Sequence, residues 1–224
     1  ILGMIFAIIQ FGLSVVFAVN VLFFDMDGIF RPYNLKPMCI KYCGSTEAGH
    51  IVLNCENNEH GQIVLISNDL ESETVLFESD EIFIQEVRLL NNEIYILAYK
   101  DVDSALYILK DNKLEPFALP TMCSAEIISG NEGQQKEIFM MIESFTLPPQ
   151  LYKVKDYKCV PVFEDSIKED PNILVEKVFY PSSEDKTMIP AYVIYPKGMK
   201  KDGNNKALMY AYGGYNNAMP PSYH

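Results

Sequence analysis

The sequence predicts a mixed architecture, an incomplete set of β-propeller blades followed by the first strands of an α/β domain. Three observations carry this expectation. A strand-rich unit recurs at a spacing of 44 to 45 residues, the pattern changes near Pro171, and an apolar run, Ala207 to Tyr215 (A-L-M-Y-A-Y-G-G-Y), is broken by two glycines close to the last residue.

The repeat comes first. Glu93 to Tyr99 (E-I-Y-I-L-A-Y) is followed by Ala105 to Phe117, and Glu137 to Phe145 (E-I-F-M-M-I-E-S-F) is followed by Gln150 to Phe163. Glu137 lies 44 residues after Glu93, while Tyr152, Asp156 and Pro161 each lie 45 after Tyr107, Asp111 and Pro116. A fainter copy opens with His50 to Cys55 and Gln62 to Asp69, where Ile51 lies 43 before Ile94. Each unit holds short runs of Ile, Val, Leu, Tyr and Phe parted by polar pairs such as Asn91-Asn92 and Asp111-Asn112, the signature of strands and turns. A period of about 40 to 50 residues with roughly four strands points to propeller blades, whereas a sandwich needs no such period. Between His50 and Phe163 there is room for fewer than three full units. A propeller closes with about four to eight, so the chain reads as a fragment whose last strands would leave backbone groups unpaired.

Lys168 to Asn172 (K-E-D-P-N) is a polar, proline-punctuated linker after which the period stops. Leu174 to Tyr180 and Thr187 to Tyr195 read as two strands joined by a turn over Pro181 to Lys186, and Pro190 places the second at an edge or a bulge. Polar residues from Lys197 to Lys206 lead to Ala207 to Tyr212, which reads as a buried strand. The expected divisions are an uncharged segment over 1–24, a partial propeller over 25–171, and the N-terminal part of an α/β-hydrolase domain over 172–224. In hydrolases built on a mainly parallel sheet, a glycine turn after such a strand helps to form an oxyanion hole, and the serine, acid and histidine come later in the chain. Nine residues follow Tyr215.

A net charge of -12 and a pI near 4.7 argue against nucleic acid as a partner, since phosphate neutralisation needs a concentrated basic surface. The hydrophobic content of 49% with 21% charged residues fits a packed core rather than disorder. Five cysteines at irregular spacing, Cys39, Cys43, Cys55, Cys123 and Cys159, read as reduced thiols of a cytoplasmic protein. Cys39, Cys43 and His50 lack the second ligand pair of a zinc finger, so no metal is expected. Ile1 to Phe24 carries no charged side chain. It is long enough for a bilayer-crossing helix of about 20 residues, and it lacks the basic start of a signal peptide. Membrane anchor, element buried in a larger protein and sequence artefact all remain open.

No G-x-S-x-G elbow occurs, and Ser45 in C-G-S-T-E lacks the second glycine. His50 and His60 read as blade-edge or surface residues. Glu71, Glu73, Asp80 and Glu81 read as a solvated face. No residue of a catalytic triad is expected within this chain, and no cofactor.

The run V-F-Y-P-S-S-E-D-K-T-M-I-P from Val178, P-K-G from Pro196, Y-A-Y-G-G-Y-N from Tyr210 and the closing P-P-S-Y from Pro220 resemble the prolyl oligopeptidases. These are serine peptidases that pair a propeller with an α/β-hydrolase domain. The resemblance reaches from about His50 to the end and is strongest from Val178 on. It implies a serine endopeptidase, monomeric at full length and needing no cofactor, that cleaves short proline-containing peptides after proline by acyl transfer. It implies that the Tyr212 hydroxyl stabilises the oxyanion, that Tyr215 lines the pocket for the proline ring, and that Gly213 and Gly214 let the loop pass beneath the substrate. The family more often carries phenylalanine where Tyr215 stands, so an apolar slot gains a hydroxyl here. It also differs at the front, where its members have further blades and strands that complete the hydrolase sheet. A propeller module that binds partners without catalysis, with or without a membrane tether through residues 1–24, is the competing expectation. A secreted or membrane β-protein anchored by the same residues is a third.

Overall fold

The computed structural model describes residues 22–26, 29–33, 40–55, 58–128, 137–163, 168–212 and 218–223, with side chains from residue 41 onward. Every regular element among them is a β-strand.

Three four-stranded meanders form the blades. The first joins β3 (Ile40–Thr46), β4 (Gly49–Asn54), β5 (Gln62–Ser67) and β6 (Glu73–Glu78). The second joins β7 (Phe83–Leu90), β8 (Glu93–Lys100), β9 (Asp103–Lys110) and β10 (Lys113–Pro116). The third joins β11 (Cys123–Ile128), β12 (Phe139–Ser144), β13 (Gln150–Lys155) and β14 (Lys158–Pro161). Two hairpins flank them in sequence, β1 (Leu22–Met26) with β2 (Ile29–Tyr33), and β15 (Ile173–Pro181) with β16 (Met188–Pro196). The ladders of β1–β2, β3 to β6, β11 to β14 and β15–β16 are antiparallel. Fewer than three full units lie between His50 and Phe163, as expected, but the described residues hold three four-stranded blades because the first starts at Ile40, ahead of His50. Strand β3 was hidden because its residues, I-K-Y-C-G-S-T, do not alternate, and a register shift between Tyr42 and Gly44 breaks the period of two.

Tight turns explain why the strands fold back where they do. Asn91-Asn92, Asp111-Asn112 and Asp156-Tyr157 have both central residues at positive φ, between 48° and 62°. That geometry matches the twist of a two-residue hairpin and favours Asn and Asp. Asp101-Val102 adopts it too, with the β-branched Val102 at φ 73°. The rule is broken there, at a cost of about 1–2 kcal/mol.

The residues form two compact units, one of residues up to Tyr95 with Leu109–Lys113, the other of Ile96–Ile108 with Leu114 onward. In the first, β4 is buried over five consecutive positions, Gly49 to Leu53, because covered strands bury both faces. Ile63, Val64, Ile66, Ile84 and Val87 complete that core. In the second, Ile96, Leu97 and Ala98 are buried in succession, while β12 alternates with Met140, Ile142 and Ser144 inside. Each fully buried aliphatic side chain contributes about 1.5–3 kcal/mol. The second unit is also tied by polar bonds: Ser104 Oγ accepts from the Ala125 amide at 2.9 Å, and Ala118 bonds the backbone of Tyr157 and Cys159 while Phe117 stacks on Tyr157 at 5.1 Å.

Of the uncharged N-terminal run, residues 1–21 lie outside the described residues and Leu22 to Phe24 pair in β1 with Tyr33 to Arg31. Among the described residues, no helix is long and apolar enough to cross a membrane.

Candidate functional site

The segment that carries the sequence-derived site follows hairpin β15–β16. That hairpin appears where expected, with Phe179 opposite Pro190, and since its sheet has two strands Pro190 lies on an edge strand. Its turn is closed by the Ser182 amide donating to the Thr187 carbonyl at 2.8 Å and by Asp185, which accepts from the Thr187 amide and hydroxyl. Those two bonds hold the Asp185 carboxyl below the usual range.

The polar stretch after β16 folds back onto the hairpin. Lys201 Nζ donates to Glu176 Oε2 at 2.6 Å and stands 4.2 Å from the centroid of the Tyr195 ring, whose hydroxyl donates to the same carboxylate. Lys201 and Tyr195 together lower the Glu176 carboxyl. At the far side, Pro221 is buried and the Tyr223 amide donates to Glu143 Oε2 of β12 at 3.0 Å. Lys201 and Tyr223, on either side of the glycine-containing run in sequence, are thus bonded to β15 and β12.

Between these two residues in sequence, the expectation of a buried strand over Ala207 to Tyr212 is not met. No strand forms, and Leu208 and Met209 are 96% and 91% exposed. A strand is stable only beside a partner that takes its amides and carbonyls, and composition alone supplies none. Tyr212 is 48% exposed. Gly213, Gly214 and Tyr215 lie outside the described residues.

Elsewhere the structure joins residues that sequence reasoning kept apart. His50 is buried rather than at a surface, with 6% of its area exposed. Its Nδ1 lies 2.7 Å from Ser45 Oγ, and the Tyr42 hydroxyl lies 2.7 Å from that same oxygen. Ser45 and His50 are cross-strand partners of β3 and β4, so the register of the missed strand makes the contact. Burial pushes the His50 imidazole below its ordinary value. A serine beside a histidine resembles a nucleophile and its base. Here the pair belongs to a blade ladder, and we read it as a cross-strand bond. His60 and the acidic residues Glu59, Glu78 and Asp80 line an open polar cleft with Asn58 and Ser79. Glu71, Glu73, Asp80 and Glu81 are exposed, as the sequence predicts. Among the described residues, no group of three or more His, Cys, Asp and Glu is placed to hold a metal ion.

No protein-family model matches the chain. The prolyl endopeptidase of Elizabethkingia meningoseptica is 35% identical over 97 residues, which cover 42% of this chain and 14% of that protein. A solved prolyl endopeptidase superposes with a TM-score of 0.75 at 24% identity, covering 93% of this chain and 32% of the other. Prolyl oligopeptidase B from Galerina marginata superposes with a TM-score of 0.75 at 18% identity, over 92% of this chain and 31% of its own. The structural likenesses show the fold, and the matched region is a minor part of each relative. Over 42% of its length the chain is similar in sequence to a prolyl endopeptidase, and over more than nine tenths of it similar in fold to solved prolyl endopeptidase and oligopeptidase structures.

Proposed function

We propose that the chain is the later propeller blades and the start of the α/β-hydrolase domain of a serine oligopeptidase that cleaves short peptides after proline. The observation that supports this best is the Y-A-Y-G-G-Y-N run from Tyr210, placed just after hairpin β15–β16, in a chain 35% identical over 97 residues to a prolyl endopeptidase. In that reading residues 172–224 open the catalytic domain, and Ala207 to Tyr212 becomes an inner strand once neighbouring strands cover it. Its six residues carry no charge, which suits that place and not the surface they occupy here.

The chemistry is acyl transfer. A serine attacks the carbonyl carbon beside proline, a histidine accepts its proton and returns it to the leaving amine, and a carboxylate orients the imidazole. The Tyr212 hydroxyl donates to the oxygen as it becomes negative. Gly213 and Gly214 let the backbone run close under the peptide, and Tyr215 flanks the proline ring. The triad belongs to sequence other than these 224 residues, so the chain alone turns over no peptide. The blades screen the site and admit small peptides; the whole protein acts as a cytoplasmic monomer.

The test is to follow the reading frame beyond His224 and assay its full product on a peptide cleaved after proline. A G-x-S-x-G elbow followed by Asp and His, with turnover by the product and none by the 224-residue chain, supports the reading. A frame without the elbow, or a product without turnover, overturns it and leaves a non-catalytic propeller interaction module.

A further inference from the structure

Lys177 and Tyr192 are direct cross-strand partners in hairpin β15–β16, so their side chains leave the same face of the ladder. Both reach one residue of another sheet. Lys177 Nζ donates to Asp103 Oδ2 at 2.9 Å, and the Tyr192 hydroxyl donates to Asp103 Oδ1. Asp103 opens strand β9 of the second blade, 74 residues before Lys177. The preceding turn adds a second carboxylate, with Asp101 3.9 Å from the same ammonium. Phe179 stands 5.9 Å from Lys177 Nζ, and Phe145 packs edge-on against Tyr192 at 5.0 Å. The central pair is largely withdrawn from water, with side chains 18% and 23% exposed.

The geometry points to Asp103 as a latch that locks the β15–β16 hairpin onto the second blade through Lys177 and Tyr192. All these residues fall in one compact unit, Ile96–Ile108 with Leu114 onward. The latch therefore holds the hairpin to the start of strand β9 instead of leaving it to swing on the 168–172 connector. Two features mark a device rather than an incidental contact. Both oxygens of one carboxylate are used by neighbours on a single hairpin face, which fixes orientation as well as distance. The turn that aims the carboxylates holds Val102 at φ 73°, a conformation that a β-branched residue adopts only under constraint. A half-buried ion pair adds little net stability while both partners remain, but removing one strands the other's charge. Such a pair favours one docked arrangement over others. The inference does not rest on the peptidase reading, because every group in it belongs to the described chain.

The experiment uses the 224-residue chain and amide hydrogen exchange, comparing peptides of β15 and β16 with peptides of β12 and β13. Asp103→Ala should speed hairpin exchange by about tenfold or more and leave β12 and β13 at wild-type rates. Lys177→Met and Tyr192→Phe should each speed it less, and Lys177→Met should add little on top of Asp103→Ala, because the two remove one shared interaction. Unchanged hairpin exchange in Asp103→Ala, or additive effects of Asp103→Ala and Lys177→Met, would overturn the latch. If Asp103→Ala unfolds the whole chain, Tyr192→Phe and Asp103→Asn decide: faster exchange confined to the hairpin supports it, and equal loss in both sheets contradicts it.

Discussion

Ser45 Oγ and His50 Nδ1 lie 2.7 Å apart across the β3–β4 ladder, joining an exposed serine to a histidine buried in the first blade. Because burial disfavours the imidazolium, the folded chain binds a proton at His50 less readily than the unfolded chain, whose histidine titrates near about 6.5. The unfolded state then gains protons first as pH falls. Stability is full above that value and is lost as pH drops through the lowered folded value. Urea midpoints should therefore fall between about pH 7 and about pH 5, and His50→Gln should flatten that slope. The depressed carboxylates Asp69, Glu176 and Asp185 act lower, where unfolded carboxyls titrate near about 4. An identical slope in the variant would refute the assignment. At neutral pH, Ser45→Ala should cost about 1 kcal/mol by removing one partner of a buried ring.

Gly49 has φ +147°, and a Cβ added there would sit 2.1 Å from the Ile66 carbonyl oxygen. Backbone cannot yield as a flexible side chain does. Gly49→Ala should cost about 3 kcal/mol or more, whereas Gly198→Ala, at φ +87° with nothing within 4 Å, should cost about 1 kcal/mol. Equilibrium denaturation of the two variants reads the difference.

Cys43 and Cys123 are buried, and desolvation pushes each thiol up to about 12. Since the thiolate is the reactive form, iodoacetamide at neutral pH should leave both unmodified in the native chain and label both after denaturation. Peptide mass analysis gives the answer, and native labelling of Cys123 would contradict the described core.

Two apolar residues with opposite surroundings separate packing from composition. Ile142 is fully buried in β12, and Ile142→Ala should cost about 2–5 kcal/mol. Leu208 is 96% exposed, and Leu208→Ala should change stability by less than about 0.5 kcal/mol in this chain. Denaturant midpoints compare them directly. A large loss at Leu208 would mean that the segment is already covered.

The blades were legible where turns announce themselves. Asp111-Asn112 and Asp156-Tyr157 carry the 45-residue spacing, and both are left-handed hairpin turns. Strand β3 was not legible, because Gly44 and the Tyr42 bulge interrupt alternation, and with it went the burial of His50 and its contact with Ser45. Nor does any local pattern connect Asp103 with Lys177 and Tyr192, since sequence spacing carries no signal over 74 and 89 residues. Ala207 to Tyr212 misled in the other direction. Its composition marks a strand, but strand formation depends on neighbours that the segment's own residues do not encode.

The most direct test of the proposed function is Tyr212→Phe in the product of the full reading frame, assayed by steady-state kinetics on a short peptide cleaved after proline. Removing the hydroxyl leaves the ring and takes away a donor to the developing oxyanion. The reading predicts a fall in kcat of about 10²–10³ with KM little changed. A variant that turns over as fast as the unaltered protein would contradict it.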